Sequence, residues 1–152
     1  MKWIQQSAAQ GYALAQSTLG IAYHDGKGVP RDYAEAVRLF RLAAAQGDPA
    51  AQYGLGVAYH NGKGVPRDYA EAVRLFRLAA AQGDALAQLN LGAAYSNGEG
   101  VPRDYVQAYM WFSLAAAQGD ADALKKLDQT EALLSPEQRA EAQKMAREWK
   151  PL

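Results

Sequence analysis

Apolar residues recur along this chain in two helical registers. Ala15, Leu19, Ala22 and Tyr23 fall at i, i+4, i+7 and i+8. Ala36, Val37, Phe40, Ala43 and Ala44 fall at i, i+1, i+4, i+7 and i+8. Each is a one-faced stripe with the period of an α-helix. Between them lies Asp25-Gly26-Lys27-Gly28-Val29-Pro30-Arg31, in which two glycines suit positive φ and Pro30 stops a helix. The pattern predicts a helix, a loop and a second helix. Asp48, Asp84 and Asp120 are predicted N-caps of the first helix, with Pro49 at its first position. That helix runs through Tyr23, Tyr59 or Tyr95. The second helix starts at Asp32, Asp68 or Asp104, where Glu35, Glu71 and Gln107 have capping-box spacing. Gly47, Gly83 and Gly119 are predicted left-handed C′ glycines at its end.

The whole pattern repeats. Gly11, Gly47, Gly83 and Gly119 are 36 apart, as are Gly20, Gly56 and Gly92, and Pro30, Pro66 and Pro102. Residues 11–46 and 47–82 share 29 identities in 36. The organisation reads as 1–10, the second helix of an incomplete repeat; three repeats at 11–46, 47–82 and 83–118; and 119–152, a terminal helix pair and cap. One helix pair cannot bury this much apolar surface, so neighbouring units must stack. Gly20 and Gly56 mark places where a second helix can approach closely. Trp3 takes the register position of Leu39 and Trp111. The edge formed by Trp3, Ile4 and Ala8 is therefore predicted to seek cover, from upstream repeats or from self-association into a homo-oligomer. At the other end Asp128 replaces the packing glycine, so close stacking is expected to stop at a last first-type helix over 120–134. Ser135, Pro136 and Gln138 start a capping helix through about Trp149. Its expected buried residues are Ala140, Ala142, Met145, Ala146 and Trp149.

Composition narrows the function. The chain has 152 residues, and 32 are Ala, which favours close-packed helices. Lys plus Arg equals Asp plus Glu at 16 each, which argues against nucleic-acid or anionic-membrane partners. The absence of Cys excludes a disulfide framework, a thiol nucleophile and a cysteine metal site. No apolar run is long enough for membrane insertion. His24 and His60 hold one position in adjacent repeats, but Ser96 follows in the third, so no third metal ligand recurs. They read as helix-end residues. No serine lies in a nucleophile elbow, and the paired glycines follow a helix, as turn residues do. No catalytic, cofactor-binding or metal-binding residue is predicted, and no cofactor.

Leu55, Gly56, Tyr59, Gly62, Gly64, Val65, Asp68, Ala72, Ala79, Ala80 and Gly83 form a pattern that recurs three times. It resembles the Sel1-like repeat, a relative of the tetratricopeptide repeat. The resemblance implies an all-α, right-handed α-α superhelical solenoid of helix-turn-helix repeats with a C-terminal capping helix. It also implies a non-catalytic scaffold or adaptor for protein–protein interaction, and tilts the location toward a bacterial envelope. Some cysteine-rich members are linked to β-lactam chemistry, which does not transfer to a chain without Cys.

The first two repeats differ only at positions 12, 13, 14, 17, 18, 21 and 25, all in or just after the first helix. Matching the tetratricopeptide register places a partner-binding groove on that side. Its predicted lining is Leu14, Ser17, Ile21, His24 and Asp25; then Ala50, Tyr53, Val57, His60 and Asn61; then Leu86, Leu89, Ala93, Ser96 and Asn97. This mixed apolar and amide surface suits an extended peptide or a partner helix. Tyr53 and Leu89 are the predicted anchors, with Asn61 and Asn97 hydrogen-bonding a partner backbone. Two alternatives stand beside it. One is an envelope-associated ligand-binding protein or hydrolase acting on cell-wall fragments through His24 and His60. The other is a truncated or engineered array without its own activity.

Overall fold

Tandem helix pairs with aspartate caps are what the computed structural model contains, and it describes all residues 1–152. The helices are α1 (Lys2–Ala9), α2 (Ala13–Asp25), α3 (Tyr33–Ala45), α4 (Pro49–Asn61), α5 (Tyr69–Ala81), α6 (Ala85–Asn97), α7 (Tyr105–Ala117), α8 (Ala121–Glu131) and α9 (Pro136–Glu148). There are no strands. The chain divides into two units, Met1–Leu75 and Phe76–Leu152.

Local chemistry sets the helix ends. The carboxylates of Asp48, Asp84 and Asp120 accept hydrogen bonds from the N–H groups of Ala51, Ala87 and Ala123, at 2.8–2.9 Å. Each satisfies an orphan donor of the first turn. Asp32, Asp68 and Asp104 do the same for Glu35, Glu71 and Gln107. Here the expected capping box is only half made. The Asp32 N–H already donates to the Tyr23 carbonyl at 2.9 Å, closing the loop. Glu35 turns instead to Arg38, whose Nε donates at 2.9 Å, and this hydrogen bond holds the carboxyl below the usual carboxylate range against a small opposing effect of burial. α2, α4 and α6 end in left-handed glycines, Gly26, Gly62 and Gly98, with φ of 67–69°.

In unit 1 the core is built around Phe40, with Val37, Leu55 and Leu75 beside it and alanines between. The Phe40 ring lies against two glycines. A Cβ on Gly20 would fall 2.7 Å from it, and one on Gly54 2.8 Å from it. Close approach of a helix at Gly20 is as expected; Gly54 adds a second that the repeat pattern does not mark, since Thr18 and Asn90 hold its register position. Gly64 is tighter still, since a Cβ there would meet the Tyr33 carbonyl. A smaller cluster of Ala8, Leu19 and Leu39 joins α1 to α2 and α3, with Ile4 packed on its edge. Ala8 is thus 6% exposed and belongs to the core. The expectation that it forms part of an open edge is corrected: α2 already covers that side of α1. Trp3, by contrast, is 74% exposed.

In unit 2, Phe112 fills the place that Phe40 has in unit 1, with Gly92 against its ring at 2.7 Å from a would-be Cβ. α7 packs on α6, α8 and α9. Tyr109, Leu134 and Ala142 form the contact with α9, and Leu127 packs on it. Asp128 is exposed. Ser135 starts α9 with both bonds of a capping box to Gln138. Ala142 is fully buried and Met145, Ala146 and Trp149 are half-buried. Ala140 is exposed, contrary to expectation, because the buried stripe of α9 is narrower than its alanine pattern.

Candidate functional site

The first helices carry fourteen of the fifteen predicted groove residues in positions with at least partial solvent access. In unit 1, Leu14 is 75% and Ile21 45% exposed, seven residues apart on one face of α2. Ala50, Tyr53 and Val57 are half-buried on α4. In unit 2, Leu86 is 48% exposed and Leu89 is half-buried.

Ser17 is the exception. It is 1% exposed, and its hydroxyl donates back to the Leu14 carbonyl at 3.1 Å. A partner cannot reach it, so its assignment to the groove is corrected. The reason is size. The same register position carries Tyr53 and Leu89 in the other repeats, whose longer side chains extend to the surface.

The helix ends are polar. The Nδ1–H of His24 donates to the Asp25 carboxylate at 2.9 Å, since a carboxylate can only accept. That bond lowers the Asp25 pKa, burial opposes it, and nearby Lys27 adds to the lowering. His24 also meets the Tyr33 ring edge-on, with centroids 5.3 Å apart. His60 repeats the arrangement with Asn61 at 3.0 Å and Tyr69 at 5.1 Å. Each imidazole is therefore used to hold its own helix end onto the start of the next helix. Asn61 and Asn97 are exposed. Tyr59 and Tyr95 accept hydrogen bonds from Arg41 and Arg77 at 3.1 and 3.0 Å, which ties first helices to second helices as packing residues.

Unit 2 shows a defined depression on this side, of about 190 Å³. Ala93, Ser96 and Asn97 of α6 line it together with Lys126, Gln129, Thr130 and Leu133 from α8 and its end. The α8 residues were not anticipated. They sit 36 positions after Asn90, Ala93, Ala94 and Asn97, so extending the repeat register past Asp128 would have found them.

No helix of the chain is long and apolar enough to cross a membrane. The family model described as "Sel1 repeat" matches residues 13–48, 49–84 and 85–120. Among solved structures, the chain is similar to c5321, a protective antigen present in uropathogenic Escherichia coli strains displaying an SLR fold. The identity is 43% and the TM-score 0.85, over 97% of this chain and 32% of that one. This chain thus spans about a third of that protein's length. It is also similar to a Sel1 repeat protein from Oxalobacter formigenes, at 39% identity and TM-score 0.74, over 83% of this chain and 95% of that one. No curated protein matches.

Proposed function

This chain belongs to the Sel1 repeat family, whose members are generally non-catalytic protein-interaction scaffolds, and we propose that it binds a peptide or partner protein on its first-helix faces. The supporting observation is the exposure of aliphatic side chains where the repeats differ. Leu14 and Leu86 hold one variable register position and Ile21 another, and all three are 45–75% exposed. Covering such groups with a partner's apolar surface would contribute about 25 cal/mol per Å² removed from water. In unit 1, Tyr53 and Val57 supply contact area and Asn61 supplies amide groups for a partner backbone. In unit 2, Leu86, Leu89 and the depression beside Ser96 and Asn97 play the same parts. His24, His60 and Asp25 shape the helix ends.

The test is an affinity pull-down from bacterial lysate with the full chain, and with a Tyr53→Ala, Leu89→Ala double variant of unchanged helical content. A protein retained by the first and lost by the second is the expected result. Retention of the same proteins by both would place binding away from these faces.

A further inference from the structure

The chain carries its own example of a bound extended segment. After α9, residues 149–152 leave the helical path and pack against unit 2 beside the ends of α5 and α7, where Trp149 and Pro151 form one wall of a groove. Trp149 meets Trp111 edge-on, with centroids 6.3 Å apart. Pro151 packs at Gly83, 4.0 Å from where a Cβ would stand. The Leu152 N–H donates to the Ala81 carbonyl at 2.9 Å, one of the last carbonyls of a helix and otherwise left to water. The segment is held by an aromatic anchor, a proline and one backbone hydrogen bond.

Unit 1 contains the corresponding groove 72 residues earlier in sequence, without a tail segment as its wall and with Glu35 and Arg38 at its side. Its volume is about 370 Å³, and Gly11, Gln16 and Leu42 line it where Gly83, Gln88 and Leu114 line the other. The polar frame matches bond for bond. Gln118 Nε2 donates to the Gly83 carbonyl and to Gln88 Oε1, both at 2.9 Å. Gln46 Nε2 donates to the Gly11 carbonyl at 2.9 Å and to Gln16 Oε1 at 2.8 Å. Gln88 and Gln16 each donate to an alanine carbonyl of the preceding helix, Ala80 and Ala8, at 3.3 Å. Ala9, the counterpart of Ala81, is exposed. Leu42 is 43% exposed, whereas Leu114, beside the tail, is half-buried.

We propose that the α1–α3 groove of unit 1 is a second binding site, for an extended segment of a partner protein with the pattern aromatic, any residue, proline, aliphatic. The partner's aromatic ring takes the apolar floor at Leu39 and Leu42. Its proline lies on Gly11, where no Cβ intervenes. A backbone N–H beyond the proline donates to the Ala9 carbonyl. Leu39 replaces Trp111, so the aromatic anchor meets an aliphatic floor here and binding in trans is weaker than the tethered contact in unit 2. This site uses none of the residues of the first-helix faces.

The probe is a free peptide of residues 148–152, Glu-Trp-Lys-Pro-Leu, titrated into the isotope-labelled full chain and followed by amide NMR shifts. Saturable shifts at Ala9, Gly11, Gln16 and Leu42 are expected at up to about 1 mM peptide. A Leu42→Asp variant, changed at an exposed position, should weaken them about tenfold or more, and so should replacing the peptide's Trp by Ala. Tyr53→Ala should leave them unchanged, which separates this site from the proposed function. Three results would overturn the proposal: no shift at those residues, shifts confined to Gly83, Trp111 and Leu114, or self-association that disappears when Trp149 is replaced. The second means that the peptide only exchanges with the chain's own tail. The third makes the occupant a second copy of this chain.

Discussion

Single atoms decide the packing of these repeats. Gly92 faces the ring of Phe112, which is 1% exposed and has no room to withdraw. Alanine at position 92 gains about 0.5–1 kcal/mol of helix propensity. The Cβ at 2.7 Å from the ring costs more, about 1–3 kcal/mol for an overpacked core. Gly92→Ala should therefore lower stability, visible as a lower urea midpoint with an unchanged slope. An equal or higher midpoint would mean that Phe112 can turn aside. The same size argument runs in reverse at Ser17. A small side chain there lets the hydroxyl fold onto Leu14, so a position where Tyr53 and Leu89 are half-buried elsewhere becomes interior. A register borrowed from a related repeat gives the direction of a residue but not how far its side chain reaches, which is why Ser17 read as surface.

Helices in this chain announce their ends by residue type, and that part was legible. An aspartate three residues before the N–H it accepts is a local device, and Asp48, Asp84 and Asp120 all work as expected. The glutamine frame was not legible, because Gln46 and Gln118 reach carbonyls 35 residues away and look like ordinary polar residues at a helix end. Their recurrence with Gln16 and Gln88 at a fixed spacing was the available signal. The tail at 149–152 has no periodicity at all, and only the fold shows where it lies. The frame has a measurable consequence. Gln118 is exposed, and exposed substitutions usually change stability by less than about 0.5 kcal/mol. Yet its Nε2 serves Gln88 Oε1, and Gln88 is 0% exposed. Gln118→Ala leaves that oxygen without its donor, at a cost of about 1–3 kcal/mol. Thermal unfolding should show a clear loss, and a double variant that also replaces Gln88 with Leu should recover part of it. A neutral Gln118→Ala would mean that water takes over the bond.

The molecule as a whole presents one register position in four helices. Trp3, Leu39, Leu75 and Trp111 are 36 apart. The last three are 2%, 2% and 8% exposed, whereas Trp3 is 74% exposed. The position is built to be covered, and at α1 no residue of 1–152 covers it. An indole of about 250 Å² buried to this extent contributes roughly 4 kcal/mol at 25 cal/mol per Å². Association costs about 4–15 kcal/mol in lost freedom, so Trp3 alone does not hold two chains together. In a two-fold pairing both copies bury a Trp3, with half-buried Ile4 beside it, which raises the gain to about 8 kcal/mol; against the low end of that cost this leaves about 4 kcal/mol, a weak, concentration-dependent self-association. Zero net charge imposes little long-range repulsion between copies. Sedimentation velocity across a concentration series should show the average mass rising toward about 0.1–1 mM. Trp3→Ser should hold the chain at the monomer mass of 16.4 kDa with its helical content intact. A monomer at the highest concentration, or a Trp3→Ser variant that associates equally well, would show that this edge does not drive assembly.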